Sequence, residues 1–164
     1  MAQQEDFDVT YWRKTYEEAV LEEDAVVFDR FGYQDAWALG SEMVTQAYAL
    51  RHPVAIAVNF GEQRVFHAAL PGSTATNDDW LARKFRAVAK HNCSSWALGC
   101  LHRAQEFDYY TEGGYDRAQI AVAGGAVPLR VNGSLIGVVG VSGLEQFADH
   151  RFVIDALSAY RAKT

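Results

Sequence analysis

Asn132-Gly133 lies between two apolar runs in residues 123–144, AGGAVPLRVNGSLIGVVGVSGL. No other dipeptide constrains this chain as much. A two-residue type I′ turn needs positive φ at both central positions, and Asn-Gly supplies that at little steric cost. With these two at the turn, Val131 faces Ser134, Leu129 faces Ile136 and Val127 faces Val138. Ala126, Pro128 and Arg130 then meet Val139, Gly137 and Leu135 on the other face. Apolar groups on both faces require a sheet covered on at least one side. Pro128 has no amide proton to donate, so it belongs at an edge or a bulge. Gly137, Gly140 and Gly143 recur every third residue, a spacing suited to close approach by a helix or a ligand.

The rest of the chain supplies helices around this hairpin. Val9, Trp12, Tyr16 and Val20 stand at helical spacing in a Glu-rich N-terminal stretch, read as a helical extension over residues 1–24. Residues 25–164 are read as one domain. Within it, Val26 to Phe31 alternates weakly, as a short strand does. Asp35 is placed to cap a helix with the stripe Leu39, Met43, Ala47 and Leu50, which Pro53 stops. A second hairpin, residues 54–60 and 63–70, turns at Gly61-Glu62, and its simple register puts Val54, Ile56 and Val58 on one face with Ala69, His67 and Val65. Thr76 or Asn77 begins the next helix, with Asp78 and Asp79 in its first turn. Residues 93–105 read as helix, 106–115 as loop, and Phe147 to Ala162 as a last helix burying Val153, Ala156, Leu157 and Tyr160. Two antiparallel hairpins with helices before, between and after them make an α+β domain.

Composition limits the partners. With 164 residues, 49% of them hydrophobic, the chain is long enough for one real core. A net charge of −6 argues against nucleic acid and anionic membranes, which call for a basic face. No apolar run reaches the roughly 18 residues of a membrane-spanning helix. The first residues lack the basic-then-apolar layout of a signal peptide. Cys93 and Cys100, on one helix, stand about 10 Å apart, too far for a disulfide. A reduced, cytoplasmic protein is the expectation.

Several phrases together carry a resemblance: PVAIAV, FHAALPG, NDDWLARK, AGGAVPL and VSGLEQFADH, in that order. Over residues 25–161 the chain resembles the GlcG/HbpS-like haem-degrading domain family, in its branch of small stand-alone proteins. The resemblance implies a five-stranded antiparallel sheet of profilin-like type with helices on its faces. It also implies symmetric homo-oligomers of six or more subunits, and haem as a cofactor. One position departs from the pattern. Where a histidine commonly precedes the paired glycines, this chain has Ala123.

Candidate chemistry is sparse. A haem iron needs an axial side chain beside an apolar pocket. His67, on a strand, is the first choice as that metal ligand, although a half-buried histidine bonded to its neighbours would look the same. Asn77, Asp78, Arg83 and Lys84 cluster in the NDDW segment, either as a charged helix face or as a pocket mouth where Arg83 or Lys84 holds a ligand carboxylate. Gly124, Gly125 and Ser142 are candidates to present backbone amides to an anion. No phosphate-binding glycine loop, nucleophile elbow or paired-cysteine zinc spacing is present. Three functions fit these residues: a haem or tetrapyrrole binder, a non-enzymatic assembly protein, and a small organic-acid binder or enzyme using Arg83 or Lys84.

Overall fold

The computed structural model describes residues 8–164, so the first seven residues of the N-terminal extension lie outside the described residues. Five helices and four strands follow in the order α1 (Val9–Ala25), α2 (Tyr33–Ala49), β1 (Ala55–Phe60), β2 (Gln63–Ala69), α3 (Ala75–His91), α4 (Ser95–Ala104), β3 (Ala126–Val131), β4 (Ser134–Ser142) and α5 (Gln146–Arg161). The strands form one antiparallel sheet in the order β2-β1-β4-β3.

Among the described residues the sheet has four strands, not five. Residues 26–31 contribute a single parallel bridge, Phe28 to Val131, in which the Phe28 amide donates to Arg130 O at 3.0 Å and the Asn132 amide to Phe28 O at 2.8 Å. Val26 and Phe28 are instead drawn into the core as side chains. This correction has a simple cause, since two apolar anchors in so short a stretch are served by packing without a ladder.

Both hairpins form, and both carry a bulge that the simple registers lacked. Asn132 and Gly133 have φ of 50° and 82°, as the I′ turn requires. Arg130 pairs with Leu135, but Leu129 pairs with Gly137, leaving Ile136 as the extra residue. In the other hairpin Asn59 pairs with Arg64 and Val58 with Phe66, leaving Val65 extra. A bulge turns every residue beyond it to the opposite face. His67 therefore stands opposite Ala57, not Ile56.

The two faces differ in residue size, and this sets the layers. Ile56, Val58, Phe66, Val127, Leu129, Val139 and Val141 form the larger core with Leu39, Met43, Val153 and Leu157 of α2 and α5. The other face is built of Ala55, Ala57, Ala126 and Val138, so that α3 settles close with Leu81, Phe85 and Val88. Gly140 gives this face its closest approach, because a Cβ there would run into the Phe85 ring. Thr74, not Thr76 or Asn77, caps α3. Its amide donates to the Asn77 carboxamide at 2.9 Å, which makes Asn77 the reciprocal half of a capping box.

The N-terminal helix packs within its own chain. Trp12, Tyr16 and Ala19 of α1 pack on Trp96, Ala97 and Cys100 of α4 in the same chain. Glu23, almost fully buried, accepts a hydrogen bond from the Ser94 amide at 2.9 Å and lies 3.6 Å from Arg130.

Candidate functional site

A cleft of about 450 Å³ opens where β4 ends and the α5 N-terminus meets α3. Its walls include Asn77, Trp80 and Lys84 from α3, Ser142 from the last position of β4, and Gln146 and Asp149 from α5. The local sequence explains the opening. Gly143, at φ 150°, turns the chain out of β4, and Glu145 caps α5 by accepting from the Phe147 amide at 2.9 Å.

Lys84 and Asp149 form the floor. Only 3% of Lys84 and 1% of Asp149 is exposed, and Nζ lies 3.2 Å from Oδ2. Nζ also donates to Val141 O at 3.4 Å. The Asp149 carboxylate accepts from the amides of Leu144 at 3.0 Å and Gly143 at 3.4 Å, so it organises the turn that forms the rim. Burial pushes the Lys84 ammonium below its ordinary range and Asp149 above the usual carboxylate range, while each opposes the shift of the other. Gly125 makes room for this arrangement. It has φ 126°, and a Cβ there would lie 2.5 Å from Val141 O and 2.7 Å from Lys84 Nζ.

The sequence-derived candidates thus separate into two groups. Asn77, Lys84 and Ser142 line one cleft. Gly125 stands behind Lys84, and the Gly124 amide donates to the Gln146 side chain at 3.3 Å. The Gly124 amide is spent on Gln146, and the Gly125 carbonyl accepts from the Val141 amide at 2.8 Å. Arg83 points away. It bridges to Asp79 at 2.8 Å, donates to Arg117 O at 3.3 Å, and lies 3.9 Å from the Trp80 ring centroid, holding that indole at the cleft wall.

His67 is placed on the α3 side by the bulge, with Nε2 2.6 Å from Asp78 Oδ1 and the pair half-exposed. Nε2 is therefore engaged, and neither residue lines the cleft. Sequence reading missed Trp80 and Asp149 as site residues. Asp149, in the first turn of α5, looked like an ordinary helix-start acid, and no local signal says that Lys84 reaches it.

A second cleft, about 580 Å³, lies on the α2/α5 side and is mostly apolar: Leu50, Leu144, Phe147, Ala148 and Phe152, with His52 and Arg151 among its polar residues. The His52 ring packs edge-on to Phe152 at 5.8 Å between centroids, and its nitrogens make no hydrogen bond among the described residues. As a haem environment this lining fits better than the Lys84 cleft, which contains no His, Cys, Met or Tyr. Among the described residues no group of three or more His, Cys, Asp or Glu is placed to hold a metal ion. Cys93 and Cys100 are free thiols, both pushed up to about 12 by burial. No described helix is long and apolar enough to cross a membrane.

A four-stranded antiparallel sheet clothed by helices on both faces defines an α+β domain with clefts at the margins of its sheet. The chain belongs to the family described as haem degrading protein HbpS-like, which it matches over residues 31–158. It is 39% identical to a UPF0303 protein of Streptomyces avermitilis over 91% of this chain and 92% of that one. A UPF0303 protein of Streptomyces coelicolor is 42% identical over 89% and 93%. Among solved structures, the Ybr137w protein superposes with a TM-score of 0.84 at 26% identity, over 90% of this chain and 88% of that one. A PduOC:heme complex gives a TM-score of 0.67 at 18% identity, over 79% and 94%. A double mutant of Streptomyces reticuli HbpS gives 0.64 at 17%, over 79% and 86%. The last two likenesses concern the fold alone.

Proposed function

We propose that this chain is a homo-oligomeric binding protein for a small molecule bearing a carboxylate or carbonyl group, taken up in the Lys84–Asp149 cleft. The observation that carries this reading is a lysine ammonium removed from water at the floor of an open cleft. Such a pair costs more to bury than apolar residues of the same size, so its value lies in presenting a donor and an acceptor to a guest. Trp80 supplies an apolar wall with Arg83 behind it, and Asn77, Ser142 and Gln146 supply polar edges. The organic-acid reading thereby narrows to Lys84, with Arg83 positioning Trp80. Calorimetry with a panel of small organic acids tests it. Lys84→Met should weaken the acid that binds by one to two decades, the worth of a charge-assisted pair of roughly 1.5–3 kcal/mol. Equal affinities in wild type and Lys84→Met refute it.

Haem or a related tetrapyrrole is the second reading, supported by family membership and by the His52 cleft. There His52 would be the axial ligand, with Leu50, Phe147 and Phe152 as the apolar walls; the iron, once bound, supplies the redox chemistry of any degradation. Hemin titration followed at the Soret band separates the two histidines. A shifted band lost in His52→Ala and kept in His67→Ala supports this site. The reverse result restores His67, and a spectrum that stays that of free hemin removes the reading.

Oligomerisation rests on surface chemistry. Tyr33, Trp37, Tyr48 and Leu50 each expose more than half of their area, and among the described residues β2 leaves one edge of the sheet unpaired. A closed assembly of six or more copies is the form the resemblance implies, with symmetry built from a two-fold contact.

A further inference from the structure

Between α4 and β3, residues 105–125 form no helix or strand. Irregular segments longer than about 12–15 residues inside a compact domain usually serve a function or remain disordered. This one is tied down. Asp108 accepts from the amides of Tyr110 at 2.9 Å and Thr111 at 2.8 Å, Tyr109 stacks on Tyr115 at 4.3 Å, and Arg86 donates to Gln119 O at 2.8 Å.

A cleft of about 270 Å³ lies between this segment and α4, with His102, Arg103, Tyr110 and Arg117 among its walls. Three buried nitrogens of these walls have no hydrogen-bond partner among the described residues: Nδ1 and Nε2 of His102 and Nη1 of Arg103. Rings alone hold the imidazole, with Phe107 at 5.4 Å and Tyr109 at 5.1 Å. The Arg117 guanidinium lies 4.0 Å from the Tyr110 ring centroid and makes no hydrogen bond or salt bridge among the described residues. Gly99 lets the segment and Arg103 close on α4 at the floor, because a Cβ there would sit 2.5 Å from Val122 O and 3.1 Å from Arg103 Nη1. Buried polar nitrogens without partners are costly, and an oxyanion in the cleft accepts from Arg103 Nη1 and from one nitrogen of His102.

We infer that this cleft binds a small oxyanion, the phosphate or carboxylate group of a metabolite-sized molecule, held by Arg103, Arg117 and His102. Two guanidinium groups offer forked donors to such a group, and the imidazole adds a third. The acids on the walls are Glu106 and Asp108, and Asp108 is spent on backbone amides. Formal charges of the two arginines and two acids cancel, so net attraction comes with a proton on His102. Burial first, and then the nearby His91, hold that imidazole below its ordinary value. His91 itself faces Tyr109, whose hydroxyl lies 2.9 Å from its Nε2. A bound anion opposes both effects, so binding takes up a proton.

The site shares no wall residue with the Lys84 cleft and does not depend on the reading proposed for it. Calorimetry on the full chain provides the test, with sulfate standing in for phosphate because its charge is constant near neutrality, and succinate as the carboxylate probe. Saturable one-to-one binding of either anion is expected, and the anion that binds names the source. Sulfate affinity should rise several-fold from about pH 8 to about pH 6, with an enthalpy that depends on the buffer's ionisation. His102→Phe keeps a ring in place and removes both nitrogens. It should preserve circular dichroism and native mass while weakening the anion at least about tenfold, as should Arg117→Ala. Absence of saturable binding overturns the assignment. So does binding that survives both substitutions.

Discussion

Lys84 Nζ and Asp149 Oδ2 stand 3.2 Å apart although 65 residues separate them along the chain. The pair joins the middle of α3 to the first turn of α5, and through Val141, Gly143 and Leu144 it also fixes the end of β4. One contact thus holds three elements in register around the cleft. Because both groups are buried, each depends on the other for charge compensation.

Removing one partner should therefore be expensive. Lys84→Met leaves the Asp149 carboxylate buried and uncompensated, at a cost of about 3–5 kcal/mol. Asp149→Asn keeps an acceptor for the Leu144 amide and should cost less. In a double-mutant cycle by urea unfolding, the combined variant should be more stable than the sum of the single losses by more than about 1 kcal/mol. Simple additivity would show that the two groups do not interact.

Gly125→Ala should loosen the same site from behind. The position combines φ of 126° with backbone and Lys84 Nζ inside contact distance of a new Cβ, so a loss above about 2 kcal/mol is expected. Gly114 is the control, since its φ is 73° but nothing lies within 4 Å of a Cβ there. Gly114→Ala should cost only about 1 kcal/mol of backbone strain. Similar thermal shifts for the two variants would mean that crowding at Lys84 is unimportant.

Stability should fall as pH drops from 7 towards 5. Burial holds His91, His102 and His150 below the ordinary histidine value of 6.5, so the unfolded chain binds more protons than the folded one in this range. Their contribution is present above pH 6.5 and is lost as pH falls through the lower folded values. His150 is the most buried of the three at 1% exposed, with Glu22 3.7 Å away as its compensating charge. His150→Phe should flatten the decline in urea midpoint, and an unchanged slope would assign the effect to other groups.

Size-exclusion light scattering at micromolar protein should report a mass several times the 18.2 kDa of one chain. Substituting Trp37 and Tyr33 by Ser should lower that mass if their exposed rings form the contact. A mass of one chain throughout would show that these aromatics and the open β2 edge serve some purpose other than self-association.

Local chemistry made much of the fold legible. The Asn132-Gly133 turn, the stripe Leu39, Met43 and Ala47, and the burial of Val153, Leu157 and Tyr160 all follow from residues within a few positions of one another. Leu50 departs from its stripe and is 53% exposed, because α2 has already ended at Ala49. The bulges at Val65 and Ile136 were hidden, since each depends on what the partner strand and the covering helix require. The bulge at Val65 is what turns His67 to the α3 side of the sheet.

That strands and helices form, where most of them turn, and that a lysine and several small residues cluster near the NDDW segment can all be read from the order of residues. Periodicity, turn propensity and capping act over a few residues, so a linear reading captures them. Packing in three dimensions is what brings Lys84 to Asp149, puts Arg83 behind Trp80 instead of in the cleft, and turns His52 to an apolar cleft. Those outcomes depend on how closely α3 approaches the sheet over Ala55, Ala57 and Gly140, and on a one-residue shift in two hairpins. Packing across distant segments sets such quantities, and no short stretch of sequence encodes them.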